Sequence, residues 1–221
     1  MKKLTLILLS LISLASFNSC KDEEPEQTPT KASIFTELKS YTGKNYEQVS
    51  TIIESKDFTL SYTESVDLMR LYFFINSDST CGYAFGEYND IIFVATYNYF
   101  DNNKSILQTN YEKNSQIAVS FVGNDPSLYY FSNIIFFNSD NSELEFDKRA
   151  DYLKVYNQNI DSIGYCSETW ISQNAIIGTE FNYDKYDFPF SLVGYADMLH
   201  MPIMYDNSEN ISIFDLLKHK K

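Results

Sequence analysis

The chain has 221 residues, with 30 Asp and Glu against 17 Lys and Arg, for a formal net charge of −13. That length suits one domain with ample core, and the charge repels nucleic acid and anionic headgroups, which excludes DNA- and RNA-binding roles. Aromatic residues make up 16%, from 18 Tyr and 17 Phe, against 7 Gly and 5 Pro. Most of the chain therefore folds, and it leans towards strands, where Tyr packs one ring face and turns its hydroxyl to water.

Residues 1–19 read as an export signal. Lys2 and Lys3 form a positive head, and Leu4 to Phe17 is an uncharged apolar run closed by Asn18 and Ser19. The run is shorter than the ~20 residues a membrane span needs. Phe17-Asn18-Ser19-Cys20 resembles the lipobox of bacterial lipoproteins, matching at Ser19 and Cys20 and departing at Phe17 and Asn18. The resemblance implies cleavage before Cys20 and acylation (palmitate or a related chain) of that cysteine. Lys21-Asp22-Glu23-Glu24 resembles the acidic tag that sends lipoproteins of the Bacteroidota to the outer face of the outer membrane. Two or more acyl chains hold a protein stably on a bilayer. Residues 20–33 then form a tether, with Pro25, Pro29 and few apolar side chains, and residues 34–221 a single β-rich domain.

The domain opens with an ordered element over Ile34 to Tyr41. Asn45 and Gln48 have the spacing of a capping box, and Tyr46, Val49, Ile52 and Ile53 follow at helical spacing. From Phe58 the apolar period becomes two. Strands are expected at Phe58–Thr63, Met69–Ile75, Cys81–Tyr88 and Ile91–Phe100. Ile117–Val122 and Leu128–Phe137 flank Gly123-Asn124-Asp125-Pro126 and predict a hairpin. Phe146–Tyr156 predicts a helix. Strands near 160–166, 170–171, 176–183 and 188–195 follow, then a last helix over Ile211 to Leu217 capped by Asn210, with a basic end at 218–221. The pairs Ile91-Ile92, Ile134-Ile135 and Ile176-Ile177 recur at intervals of about 42 residues, which is either a propeller-like period or a habit of Asn-rich turns preceding Ile-rich strands.

Motifs for chemistry are sparse. His200 sits in an apolar context and reads as a packed or loop residue; His219 lies in the basic tail. No Ser occupies a nucleophile elbow, no phosphate loop or dinucleotide fingerprint is present, and no cofactor or metal is implied. Asp140–Glu143 and Asp184–Asp187 are oxygen-rich but lack the spacing of a calcium loop. Cys81 and Cys166 form a candidate disulfide for an exported protein, the alternative being two separate buried thiols. Trp170 is a candidate ligand-binding platform, the alternative being a core tryptophan. Asp78-Ser79-Thr80 and Asp161-Ser162-Ile163 resemble the O-glycosylation tripeptide of the Bacteroidota.

These readings predict an α+β protein, mainly antiparallel β as a sandwich or open barrel-like sheet, with two or three short helices. The functional expectation is a lipid-anchored, non-catalytic module that binds a glycan, a peptide or an envelope protein. The alternatives are a carboxylate-based hydrolase and an acidic inhibitor or immunity lipoprotein. Mass spectrometry of the membrane-extracted polypeptide is expected to find a chain that begins at an acylated Cys20. Cys20→Ala moves the protein out of the membrane fraction; a species that begins at Met1 contradicts the reading.

Overall fold

The computed structural model describes residues 32–66, 68–123, 128–137, 143–183 and 188–202. The first helix, α1 (Ala32–Tyr41), buries Phe35, Leu38 and Tyr41, spaced three apart along one face. Each of those side chains contributes roughly 1.5–3 kcal/mol of burial. Gly43 turns the chain with φ of 80°, a backbone state that suits a residue without Cβ. The second helix, α2 (Tyr46–Glu54), starts on the expected capping box: Gln48 N donates to Asn45 Oδ1 at 2.9 Å, and Asn45 N to Gln48 Oε1 at 3.2 Å.

Four strands follow as an antiparallel meander: β1 (Phe58–Val66), β2 (Met69–Asn76), β3 (Cys81–Tyr88) and β4 (Ile91–Phe100). Asn89 and Asp90 both have positive φ, which gives the β3–β4 connection the twist of a two-residue hairpin. A long helix, α3 (Lys104–Val122), leads to β5 (Tyr129–Phe136) and the short β6 (Glu143–Phe146). Then come α4 (Arg149–Asn159), a 3-10 turn at Ile160–Ser162, β7 (Ile163–Ile171), β8 (Ala175–Asn182) and β9 (Phe190–Asp197).

The nine strands of the described residues make one open antiparallel sheet in the order β1-β2-β3-β4-β9-β8-β7-β5-β6. This is the expected α+β, antiparallel class, built as a single open sheet. The last described strand fills the middle, from Val94↔Ala196 to Phe100↔Phe190. The four α-helices of the described residues lie on one face. Phe35, Leu38, Val49, Ile53, Ile117 and Ala118 pack with Phe85, Ala95, Ile177 and Tyr195, which share one row of the pairing register. Tyr152 and Tyr156 of α4 join Leu107, Tyr111, Cys166 and Phe181 further along the same face. A second apolar cluster, including Leu71, Phe73, Val94, Leu192 and Ala196, occupies the opposite face.

Two expectations are corrected. Ile117–Val122 is the last part of α3, not a strand, and no hairpin starts there. Its β-branched residues resemble a strand locally, but Leu107, Tyr111, Ser115 and Ala118 make a helical stripe, and Gly123 (φ 67°) is the helix C-cap. The Ile pairs are not blade repeats either: they open β4, sit late in β5 and open β8, all in one sheet. The helix expected at 211–217 and the basic end lie outside the described residues.

A polar latch holds α1 to the sheet. The Glu37 carboxylate accepts from Lys56 Nζ at 2.6 Å and from the Tyr41 and Tyr83 hydroxyls at 2.7 Å each. Burial alone raises the Glu37 pKa, but the bonds from Lys56, Tyr83 and Tyr41 outweigh it and leave the carboxyl below its ordinary 4.5. A depressed carboxylate stabilises the fold above its unfolded pKa and loses that contribution as pH falls through the folded one. Glu37→Gln is therefore expected to lower stability at pH 7 by on the order of 1–2 kcal/mol. The gap from wild type narrows below pH 4.5, read as converging urea midpoints in an acid series.

Candidate functional site

A groove of about 610 Å³ opens at one end of the central strands, within the size range of small-ligand sites. Four separate segments form it: Ile75 at the end of β2, Ser79 and Thr80 in the β2–β3 turn, Phe100 with Asp101 and Asn102 after β4, and Phe188-Pro189 before β9. The turn is set by its own polar side chains. Asp78 Oδ1 accepts from Thr80 N (3.0 Å) and Thr80 Oγ1 (2.6 Å), while Asn76 Oδ1 accepts from Cys81 N (2.9 Å). Those two Thr80 bonds hold the Asp78 carboxyl below its ordinary range. Phe100 N donates to Thr80 O at 2.8 Å, which ties the turn to β4.

The floor is aromatic: the Phe100 and Phe188 rings meet edge-on at 5.8 Å. The rim carries two hydroxyls, one amide and one carboxylate. Asp101 accepts from Asn103 N (2.8 Å) and the Tyr99 hydroxyl (3.2 Å), and Asn103 in turn caps α3 through Ser105 N and Ile106 N. The groove thus offers apolar ring surface beside fixed hydrogen-bonding groups. A smaller hollow of about 340 Å³ near the β1–β2 turn includes Arg70 and Glu87, and Glu87 is already held by the Tyr72 hydroxyl at 2.5 Å and Arg70 at 3.8 Å.

The densest set of polar groups is sealed under the helices. Glu168 of β7 is fully buried. It accepts from Arg149 Nε (2.8 Å), the Tyr130 hydroxyl (3.0 Å), the Tyr111 hydroxyl (3.2 Å) and Ser115 Oγ. Arg149 also donates to Ser115 Oγ at 2.9 Å, and Tyr111 bonds Tyr152. Burial, reinforced by the Glu168 carboxylate, raises the Tyr111 and Tyr152 hydroxyls well above their ordinary range. Burial likewise pushes the Cys166 thiol up, so these groups stay protonated donors rather than nucleophiles. The cluster joins α3, α4, β5 and β7; it is a structural brace. Sequence reading missed it because its members come from four segments, although Tyr111 and Ser115, four apart on the α3 stripe, were a usable signal.

The residues singled out from sequence are not brought together. Cys81 and Cys166 are free thiols, which overturns the candidate disulfide. They sit on β3 and β7, four inter-strand steps apart, ~19 Å, far beyond the reach of a bridge. Trp170 is 5% exposed and packs edge-on against Tyr130; it is a core residue and presents no platform to a ligand. His200 lies in the turn after β9 and bonds Asp197 at 2.9 Å. Ser79 and Ser162 are both exposed. Cys20, His219 and the oxygen-rich stretches, apart from Glu143, lie outside the described residues. Among the described residues no three His, Cys, Asp or Glu are placed to hold a metal, and no helix is long and apolar enough to cross a membrane.

No protein-family model, no curated protein and no solved structure matches this chain. The groove and the brace therefore rest on their own geometry. For the brace, Arg149→Met is expected to lower stability by roughly 3–5 kcal/mol, because it leaves the buried Glu168 charge without its cation. Adding Glu168→Gln recovers part of that loss in a double-mutant cycle followed by urea unfolding.

Proposed function

We propose that this chain is a non-catalytic binding module, held on the outer membrane surface by lipid at Cys20, with the groove between the β2–β3 turn and the start of β9 as its ligand site. The observation that carries the reading is the pairing of an aromatic floor, Phe100 and Phe188, with a hydroxyl- and amide-bearing rim. That chemistry suits a neutral ligand with an apolar face and several hydroxyls, and a saccharide is such a ligand. The acidic balance of the chain also disfavours anionic ligands.

A carboxylate hydrolase of the glycosidase kind needs two acids flanking the scissile bond. Asp101 is the one carboxylate among the groove's described lining residues, and both its oxygens already accept local hydrogen bonds. The binding reading is favoured on that count.

Isothermal titration against a panel of neutral oligosaccharides tests the site. Asn102→Trp, which fills the groove from an exposed position, is expected to weaken binding about ten-fold or more, ~1.4 kcal/mol, while the thermal midpoint stays near wild type. Binding that survives Asn102→Trp unchanged, or no binding across the panel, overturns the proposal.

A further inference from the structure

The groove has a neighbour. A small notch of about 20 Å³ shares two of its walls, Ile75 and Phe100. Its other walls come from Ser61 of β1, Phe73 and Phe74 of β2, and Gly82 and Tyr83 of β3. That volume has room for one group the size of a water molecule.

Strand pairing explains why a space remains there. Ile75 and Gly82 are direct partners across β2 and β3, and Gly82 adds no side chain. A Cβ at this position would stand 2.9 Å from the Phe74 carbonyl oxygen and 3.4 Å from the Phe100 ring, so the backbone stays bare and the notch stays open beside it. On the other side the register slips between Leu60 and Tyr62. Ser61 is the extra residue of that bulge, a device that re-aims a side chain. The walls are held in place: Phe73 is buried and stacks on Tyr62 at 4.2 Å, and Phe100 N is tied to Thr80 O.

The chemistry of the lining suits a methyl group better than a water. A buried water takes roughly two to four polar partners. Only Ser61 and Tyr83 bring a polar side-chain atom to the notch, and the Tyr83 hydroxyl is bonded to Glu37 of α1. A methyl needs no such partner, and Phe73, Ile75 and Phe100 offer it apolar contact on several sides.

We propose that the notch is a specificity pocket of the groove and takes the methyl group of a methyl-bearing sugar, either from an N-acetyl substituent or at a 6-deoxy position. The inference rests on the saccharide reading of the groove. It narrows the ligand to an oligosaccharide that carries a small apolar substituent beside the ring lying on Phe100 and Phe188.

Isothermal titration with three trisaccharides of one linkage tests this: a glucose trimer, an N-acetylglucosamine trimer, and a glucose trimer with one 6-deoxy unit. Burial of one methyl is expected to make a methyl-bearing trimer bind about four-fold more tightly than plain glucose, and the arm that shows the gain names the source of the methyl. Ser61→Leu fills the notch from an exposed position on the sheet's outermost strand and is expected to bring that ratio to about one. If Ser61→Leu does not accumulate, Ser61→Val gives the same readout. Equal binding of the three trimers, or a ratio that the substitution leaves untouched, overturns the notch and leaves the groove standing. No binding of any trimer overturns the notch and the groove together.

Discussion

The pairing of β4 with β9 is the constraint on which the rest of this protein depends. It joins the β1–β4 meander to the β5–β9 half through a ladder whose partners are about a hundred residues apart in sequence. α1 packs on both of these strands and α3 on β8 and β9, so the helix layer is assembled over the join. The groove depends on it too, because Phe100 and Phe190 are the last pair of that ladder and Phe188-Pro189 enters beside them. Contacts this distant in sequence are entropically costly to close, so the candidate site is built on the least local pairing of the sheet.

The tyrosine content acquires a physical explanation from the interior. A buried carboxylate must be given donors, and here the donors are largely phenols. Tyr41 and Tyr83 serve Glu37, Tyr72 serves Glu87, Tyr111 and Tyr130 serve Glu168, and Tyr165 serves Glu180. From sequence the Tyr hydroxyls were expected to reach water. Many reach acids instead, which lets an acidic chain bury charge with few cations. Tyr72 shows the reciprocal effect: burial first, then its bond to Glu87, push its pKa up to about 12.

Much of the strand framework was legible because alternation and turn residues are local signals. Cys81–Tyr88 and Ile91–Phe100 are bounded by Asn-Ser-Asp-Ser, Asn-Asp and Asp-Asn-Asn, and their ends are found where those turns place them. The Asn45–Gln48 capping box was equally local. α3 was not legible, because Asn110, Glu112, Lys113 and Asn114 make its middle strongly polar and Ile117, Val119 and Val122 are β-branched. Strand order cannot be read from local pattern at all, and it decided both the cysteines and the groove. Cys81 and Cys166 invite a pairing by number, but the intervening β4, β9 and β8 keep them apart. Phe100 and Phe188 become neighbours only because β9 enters the centre.

The position of α1 carries a mechanical meaning. It is the first described element, and Phe35, Leu38 and Tyr41 key it into the core while Glu37, Lys56 and Tyr83 bolt it sideways. A pull on the amino-terminal side therefore arrives at the middle of the sheet, across β4 and β9, instead of peeling an edge strand such as β1. To detach the helix, the load must break several apolar contacts and charged bonds together.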